Sequence, residues 1–171
     1  MMAKNKKSGS TPATDALVKA GVSFQVHTYR HDPHELHYGH ETITELGLDP
    51  ARVLKTLVIE VTGGKTQLAV GVVPVAGMLD LKALAAALKA KKCQMAEPKA
   101  AQRSSGYVVG GISPLGQRTK LVTVIDESVK DYETVFCSGG KRGLSIELSP
   151  TDLAKATEAI FAPIGRENFH A

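Results

Sequence analysis

The strongest structural signal in this sequence is a pair of apolar segments joined by two glycines. Residues 54–61 and 66–73 are both rich in valine and leucine, and Gly63-Gly64 lies between them. This pattern predicts a β-hairpin, because adjacent glycines allow the tight turn that joins two antiparallel strands. A hairpin in the middle of the chain excludes an all-parallel sheet, whose strands need long crossover connections.

Further strands and helices are predicted on both sides of this hairpin. Three of the helices begin after residues of N-cap type, Thr11, Asp80 and Ser149. The predicted strands are residues 23–29, 93–95, 121–126, 133–138 and 144–148, and the predicted helices are residues 12–20, 41–46, 81–88, 97–104 and 150–160. Hairpins outnumber β-α-β units in this order. We therefore expect an α+β fold with a mixed, mostly antiparallel, barrel-like sheet surrounded by helices.

The length and composition predict one globular domain. The chain has 171 residues, of which 43% are hydrophobic and 22% charged. We predict a disordered tail at residues 1–10 and a single domain over residues 11–171. No apolar run is long enough to cross a membrane, and the polar first residues do not fit a secretory signal. Two isolated cysteines, Cys93 and Cys137, are typical of a reduced compartment, so we expect a cytoplasmic protein.

A glycine-rich stretch at residues 106–116 is the first candidate functional element. It contains four glycines in eleven residues, and Pro114 within it stiffens the backbone. Such a loop can present its own backbone N–H and C=O groups to a ligand, or it can be a tight connection without one. Gly111 and Gly116 have the spacing of a phosphate-binding loop. The following Gln117-Arg118 excludes that motif, which requires Lys-Ser/Thr at this point.

Lys55 is the most informative single residue. In the predicted strand it shares a face with Val53, Leu57, Ile59 and Val61, which are all apolar. A lysine is seldom buried without a partner or a function, so Lys55 is a candidate site residue. The alternative is a lysine at the beginning of the strand whose ammonium group reaches water.

Basic residues in two polar segments are candidates for phosphate contacts. Residues 138–143 form a predicted glycine-rich hairpin tip that carries Lys141 and Arg142, and Arg103 lies just before the glycine-rich loop. Each segment could hold phosphate, or could be an ordinary solvated turn. The formal net charge of +4 is compatible with a nucleic-acid partner but does not require one.

Four histidines recur at every third residue from His31 to His40. Pro33 and Gly39 are expected to break any helix that would align their rings, and no cysteine lies nearby to complete a tetrahedral site. We therefore predict no functional metal and no cofactor, with only weak adventitious binding of zinc or nickel. The chain also lacks G-x-S-x-G and HExxH motifs and a convincing Ser/His/Asp set. Any catalysis is expected to proceed without a protein nucleophile.

Four segments of the chain resemble the YbaK/EbsC family, the free-standing relatives of the editing domain of bacterial prolyl-tRNA synthetases. These segments are Tyr29, Lys55-Thr56-Leu57, Gly110-Gly111-Ile112-Ser113-Pro114 and Ser138-Gly139-Gly140-Lys141-Arg142-Gly143. The likeness extends over residues 11–161, and residues 72–77 and 102–104 look most like the Cys-tRNA(Pro) deacylase branch. The resemblance implies a barrel-like sheet with helices around it, and hydrolysis of an amino acid wrongly esterified to tRNA.

The resemblance also implies roles for individual residues. The catalytic residues that the resemblance implies are Lys55 and Gly110. Gly110 begins the G-x-x-x-P loop that holds the aminoacyl end, and Lys55 matches an essential lysine beside the terminal phosphate or ribose. The residues implied in substrate binding are Tyr29, Thr56, Gly111, Ile112, Ser113, Pro114, Ser138 and Ser145, and the candidate tRNA contacts are Arg103, Lys141 and Arg142. Ser145 departs from the family pattern, which commonly has Asp in this context.

The function implied is trans-editing of mischarged Cys-tRNA(Pro), in which the substrate's own thiol attacks the ester. The expected partners are the acceptor end of a mischarged tRNA and, in a transient complex, prolyl-tRNA synthetase, with no membrane. Two alternatives stay open. One is deacylation of another mischarged amino acid such as alanine or serine, for which the Ser145 departure is the motive. The other is a non-catalytic module that holds an aminoacyl-tRNA end or docks on a synthetase.

Overall fold

The computed structural model describes residues 10–167 of the chain. Within them the polypeptide forms ten strands, five α-helices and one 3-10 helix. The predicted disordered tail lies outside the described residues except for Ser10, which is exposed. The division into a tail and a single domain over residues 11–171 stays a prediction.

Helices and strands follow one another in irregular alternation along the chain. The α-helices are α1 Pro12–Ala20, α2 Tyr38–Leu46, α3 Leu81–Ala87, α4 Pro98–Ser105 and α5 Pro150–Thr157. The strands are β1 Gln25–Thr28, β2 Leu54–Thr62, β3 Leu68–Pro74, β4 Gly77–Leu79, β5 Lys92–Met95, β6 Val122–Asp126, β7 Val135–Ser138, β8 Leu144–Leu148, β9 Ile160–Ala162 and β10 Gly165–Glu167. The predicted N-caps Thr11, Asp80 and Ser149 are confirmed, because each side chain accepts a backbone N–H of its own helix.

The strands form three sheets. The largest has the order β5-β2-β3-β6-β9, a second has the order β1-β8-β7, and β4 pairs with β10. Five of the seven ladders are antiparallel, and only β3–β6 and β6–β9 are parallel. The predicted hairpin is β2–β3, paired from Leu54↔Pro74 to Glu60↔Leu68. The mixed, mostly antiparallel α+β architecture is therefore confirmed.

The two larger sheets meet at the beginning of β2. A parallel bridge joins Val53 to Phe136, and the Phe136 N–H donates to the Arg52 carbonyl at 2.8 Å. Among the described residues, the ladders do not close into a continuous barrel. The bridge instead sets two sheets side by side, and it lies two residues from Lys55.

Some element predictions were wrong. Residue Ile160 was assigned to the inner face of the last helix, but α5 ends at Thr157 and Glu158 takes a left-handed conformation with φ 56°. Ile160 therefore starts the edge strand β9 and is 50% exposed. Strands β4, β9 and β10 were missed, because three-residue strands show no periodicity.

Two buried clusters cover the opposite faces of the largest sheet. On one face Leu54, Val70 and Val72 pack with β7, β8, α1 and α5; on the other Ile59 and Val73 pack with α3. Because both faces are covered, the central strands are almost continuously apolar. For this reason β2 shows no clear alternation of apolar and polar residues. Lys55 lies on the face of the sheet that packs against α3.

The beginning of α1 holds two distant loops together. The Thr11 hydroxyl donates to the Gly139 carbonyl at 2.5 Å, and Gly116 lies directly against the Pro12 carbonyl. A side chain at Gly116 would overlap that carbonyl, and its φ is +63°, so glycine is required there twice over. The N-cap turn of α1 thereby fixes the end of the glycine-rich loop against the turn between β7 and β8.

Candidate active site

A cavity of about 390 Å³ lies where the two larger sheets meet. This volume suits a small ligand or the end of a larger one. Its walls come from β2, the β7–β8 pair, α2, α4 and the glycine-rich loop. Among the predicted site residues, eight line it: Tyr29, Lys55, Thr56, Gly110, Ile112, Ser138, Lys141 and Ser145. Five do not: Arg103, Gly111, Ser113, Pro114 and Arg142.

Lys55 supplies the amine of the cavity. Its Nζ donates to the Gly77 carbonyl at 3.1 Å, and its side chain is half-buried. Burial lowers the pKa of the Lys55 ammonium below its ordinary value. One carbonyl satisfies only one of three N–H donors, so the group retains capacity for an anionic or carbonyl ligand. The ammonium therefore does not simply extend into water, as the alternative prediction had it.

Thr56, the next residue of β2, adds a buried hydroxyl on the opposite face of the strand from Lys55. Its Oγ1 is buried and has no hydrogen-bond partner among the described residues. An unpaired buried hydroxyl costs about 1–3 kcal/mol, so such a group commonly has a task. It lines the same cavity as Lys55, where a ligand could supply the missing partner.

The glycine-rich loop brings unpaired backbone N–H groups to the cavity. Gly111 N–H donates to the Val108 carbonyl at 2.9 Å, which forms a tight turn around Gly110. No described residue accepts a hydrogen bond from the N–H of Gly110 or Ile112, although both residues line the cavity. Two unpaired backbone donors at a cavity are the arrangement that stabilises a developing oxyanion.

Gly110 is enclosed by side chains from two other elements. A Cβ at this position would lie 2.5 Å from the Arg142 Nε and 2.9 Å from the Tyr38 ring, and the φ of Gly110 is +92°. The Arg142 guanidinium lies 4.7 Å from the Tyr38 ring centroid, and its Nη2 donates to the Val109 carbonyl at 2.6 Å. Arg142 thus ties the β7–β8 turn to the loop and to α2. Its predicted contact with tRNA stays a prediction.

Ser113 and Pro114 support the loop from below. Both are buried, the Ser113 hydroxyl accepts the Leu115 N–H at 3.2 Å, and the Gln117 side chain donates to the Ser113 carbonyl at 3.0 Å. The Tyr107 hydroxyl donates to the Leu115 carbonyl at 2.5 Å. These bonds make the loop rigid, while Ser113 and Pro114 themselves stand outside the cavity.

The opposite wall is formed by the facing serines of β7 and β8. Ser138 and Ser145 are register partners, and Ser145 is only 3% exposed. The Ser145 hydroxyl donates to the Cys137 carbonyl at 3.3 Å, and the Ser138 hydroxyl accepts the Gly140 N–H at 3.1 Å. Both hydroxyls are therefore already engaged with the backbone.

Helix α2 contributes two lining residues that sequence reasoning missed. Tyr38 and Thr42 lie one turn apart, and the Thr42 hydroxyl bonds the Tyr29 hydroxyl at 2.7 Å. Residues 30–40 were expected to be irregular, with Gly39 as a helix breaker, but Gly39 lies within α2. The i, i+4 spacing of Tyr38 and Thr42 was the available signal. Other lining residues that were missed include Met95, Val109 and Cys137.

One histidine of the tract, His31, is bonded to the buried Glu41 carboxylate. The Glu41 carboxylate bonds the His31 Nδ1 at 2.7 Å and accepts the Asp32 N–H at 2.8 Å. In the described part of the chain, no group of three or more His, Cys, Asp or Glu side chains is placed to hold a metal ion. His31 and Asp32 thus tie the segment before α2 to the first turn of that helix through Glu41.

Arg103 and Lys141 lie on the surface near the cavity. Arg103 is exposed on α4, and Lys141 is exposed while still lining the cavity rim. Both positions allow contact with a bound polyanion, and their role as tRNA contacts stays a prediction.

Known proteins share this sequence pattern and this fold. A family model described as the aminoacyl-tRNA editing domain matches residues 38–156, well over half of the chain. EbsC of Enterococcus faecalis, a proposed Cys-tRNA(Pro)/Cys-tRNA(Cys) deacylase, is 35% identical over 164 residues, which cover 95% of this chain and 98% of that protein. A solved structure described as a proposed trans-editing enzyme for prolyl-tRNA synthetase has a TM-score of 0.79 at 22% identity, covering 93% of this chain and 98% of the other.

The cavity, with its unpaired backbone donors and the Lys55 amine, has the size and the donors to hold a small carbonyl-bearing group. The chain belongs to the aminoacyl-tRNA editing domain family. Editing removes an amino acid from a wrongly charged tRNA, so the predicted class of activity, aminoacyl-tRNA deacylation, is confirmed.

No helix in residues 10–167 combines the length and the apolar character needed to cross a bilayer.

Proposed function

We propose that the protein hydrolyses mischarged Cys-tRNA(Pro) in trans and releases free cysteine and tRNA. The observation that carries this proposal is the pairing of unpaired Gly110 and Ile112 N–H groups with the Lys55 ammonium in one cavity. The N–H groups stabilise the negative charge that develops on the ester carbonyl oxygen. Lys55 binds the terminal phosphate or ribose and so orients the ester.

The residues lining the cavity favour attack by a group on the substrate. They include no histidine, aspartate or glutamate, so no lining carboxylate or imidazole can activate water as a general base. The single lining thiol is Cys137, and burial raises its pKa to about 12, which keeps it protonated and unreactive. Ser138 and Ser145 have no base beside them.

In the proposed reaction the cysteine thiolate of the substrate attacks its own ester carbonyl. A carbon–sulfur bond forms, the ester carbon–oxygen bond breaks, and the tRNA ribose oxygen leaves and takes up a proton. Water then opens the thioester ring and gives free cysteine. An aminoacyl ester is already activated, so orientation and oxyanion stabilisation supply the remaining catalysis. Alanine has no thiol and serine has a much weaker nucleophile, which gives selectivity without a large side-chain pocket.

The test is a panel of tRNA(Pro) charged with cysteine, alanine or serine. We expect release of cysteine and little release of the other two. Release of alanine or serine at the same rate would refute thiol assistance and favour the broader deacylase alternative. Binding of all three without release would favour the non-catalytic module.

The proposed partner of the enzyme is prolyl-tRNA synthetase, which produces the mischarged tRNA. The resemblance to editing domains of that synthetase supports this proposal, and so does the description of the solved structure that shares the fold. A transient complex would deliver the substrate before it is released.

Removal of the buried Thr56 hydroxyl should affect activity and stability in different directions. In Thr56→Val we expect about tenfold lower kcat/KM, because the substrate loses one hydrogen bond. The free energy of unfolding should stay equal or rise by up to about 1 kcal/mol, because an unpaired buried hydroxyl is removed. Denaturant unfolding and single-turnover deacylation measure the two quantities.

Thr157→Val is the matched control for this substitution. The Thr157 hydroxyl is buried but donates to the Leu153 carbonyl at 2.8 Å, on the last turn of α5. It should lose about 1 kcal/mol of stability and keep its activity. If Thr56→Val instead destabilises the protein as much as Thr157→Val, Thr56 is an ordinary structural residue.

A further inference from the structure

Four exposed lysines meet at the end of the central sheet opposite Lys55. Lys65 lies in the β2–β3 turn, and Lys89, Lys91 and Lys92 lie in the connection from α3 into β5. We call these four residues the lysine patch. The two segments touch, because the Lys91 N–H donates to the Thr62 carbonyl at 3.0 Å. The side chain of Lys91 also packs over Gly63, where a Cβ would lie 2.6 Å from the Lys91 Cγ.

No carboxylate neutralises the lysine patch within the described residues. None of the four lysines has a carboxylate within salt-bridge distance there. Between residues 81 and 99 the sequence has five lysines and a single acidic residue, Glu97. Glu60 lies on the neighbouring strand, and its carboxylate is hydrogen-bonded by the Gln94 amide. The positive charge therefore stays concentrated at this end of the sheet.

Lys89 occupies a position at which most side chains are unfavourable. Its φ is 55°, in the left-handed region, where glycine or asparagine is the usual residue after a helix. Within the described residues the Lys89 side chain makes no hydrogen bond and no salt bridge, so its charge stays available to a ligand.

Strand β5 connects the lysine patch to the cavity. It is an edge strand of the largest sheet, paired from Thr62↔Lys92 to Ile59↔Met95. Met95 and Ala96 line the cavity, and Met95 is 51% exposed. Lys92 stands three residues before Met95, which is about 10 Å along an extended strand. A polyanion whose end occupies the cavity can therefore follow this open edge to the lysine patch.

We propose that the lysine patch binds the phosphates of the tRNA acceptor stem while the 3′ end lies in the cavity. The inference rests on the proposed function, since it places the tRNA whose ester the cavity holds. Lysine–phosphate contacts are independent of base sequence, so the patch adds affinity and orientation without selecting a particular tRNA.

The probe is an uncharged RNA hairpin that copies an acceptor stem and ends in unpaired CCA. Its dissociation constant is measured by fluorescence anisotropy at several salt concentrations. The test variant is Lys89→Gln/Lys92→Gln, which leaves the packed stem of Lys91 in place. The control is Lys19→Gln/Lys155→Gln, which removes two charges from the exposed faces of α1 and α5. Thermal unfolding verifies that both variants are folded.

The loss of two phosphate contacts should reduce, by about 1.8, the steepness with which the logarithm of the binding constant falls against the logarithm of salt concentration. Raising the salt from about 50 to about 200 mM then weakens the wild type about twelvefold more than the test variant. At low salt we expect roughly tenfold weaker binding by the test variant and less than about twofold change in the control.

Three outcomes overturn the inference. The first is equal weakening of both variants, which would mean that only net charge matters. The second is an RNA hairpin that the wild type does not bind. The third is unchanged hairpin binding with loss of prolyl-tRNA synthetase binding, which would assign the patch to a protein partner. The hairpin carries no amino acid, so a wild type that fails to deacylate any substrate refutes the proposed function and leaves this measurement valid.

Discussion

Replacing Lys55 by alanine should lower kcat/KM for Cys-tRNA(Pro) by about 100-fold to 1000-fold. The reason is the loss of a preorganised cation in a site where charge develops during the reaction. Only one described contact holds this amine, the Gly77 carbonyl at 3.1 Å, so its other donors are available to the substrate. Single-turnover deacylation, after subtraction of the spontaneous hydrolysis of the ester, measures the effect.

Lys55→Met is the control that keeps the length and packing of the side chain. Burial lowers the pKa of Lys55, so the folded state disfavours the ammonium at neutral pH, below both the folded and the unfolded pKa. Removing that charge relieves a cost and loses one hydrogen bond, and the free energy of unfolding should change by less than about 1 kcal/mol. Lys55→Met should nevertheless be as inactive as Lys55→Ala. A folded, fully active variant of either kind would remove Lys55 from the mechanism.

The same lowered pKa predicts how the deacylation rate depends on pH on the alkaline side. If the ammonium is the active form, enzymatic deacylation falls as pH rises through the pKa of Lys55, which lies below the ordinary lysine value. Lys55→Met should show no such fall. A wild-type profile that follows only the spontaneous hydrolysis at high pH would contradict a role for the charge.

Gly110→Ala should abolish most of the activity, with a loss of about 100-fold or more in kcat/KM. A methyl group would lie 2.5 Å from the Arg142 Nε and 2.9 Å from the Tyr38 ring, and φ is +92°. The loop or the Arg142 and Tyr38 side chains must therefore move, and the positive φ adds backbone strain; displacement of catalytic donors by about 1 Å costs about 100-fold. Kinetics and denaturant unfolding are measured on the same preparation.

Gly21→Ala is the matched control. Gly21 also has a positive φ, +70°, but an added Cβ would meet nothing within 4 Å. It should lose about 1–2 kcal/mol of stability from backbone strain while keeping its activity. Equal kinetic effects in both variants would show that Gly110 matters for folding alone, and an active Gly110→Ala would exclude the backbone-donor mechanism.

The central strands and the helix caps were predictable because their causes are local. The apolar pattern of β2 and β3, the glycine pair between them and the N-cap residues Thr11 and Ser149 all act within a few residues. The strands β9 and β10 were not predictable. Their three residues carry no periodic signal, and tertiary pairing with β6 and β4 alone makes them strands.

The sequence singled out the Lys55 and glycine-rich-loop side of the candidate site but not the residues that α2 contributes to it. Unusual residue types identified Lys55 and the glycine-rich stretch 106–116, since a lysine in an apolar strand and a glycine cluster both need a special reason. Only the family resemblance singled out Gly110 within that stretch. Tyr38 was missed because its spacing from Thr42 is a weak signal, and its contact with Arg142 joins residues more than a hundred positions apart. Ser113 and Pro114 belong to the recognised motif, yet they stabilise the loop without lining the cavity.

The contact between Thr11 and Gly139 has a consequence for the order of folding. It joins residues 128 positions apart, whereas the β2–β3 hairpin closes a short loop. Contacts of such long range are entropically expensive to close and form late. The β2–β3 hairpin can therefore form early, whereas the docking of α1 and the β1–β8 ladder, which joins Gln25 to Glu147, both depend on contacts of long range. Because the walls of the cavity come from both sets of elements, catalytic competence by this reasoning arrives with the late long-range contacts rather than with the hairpin.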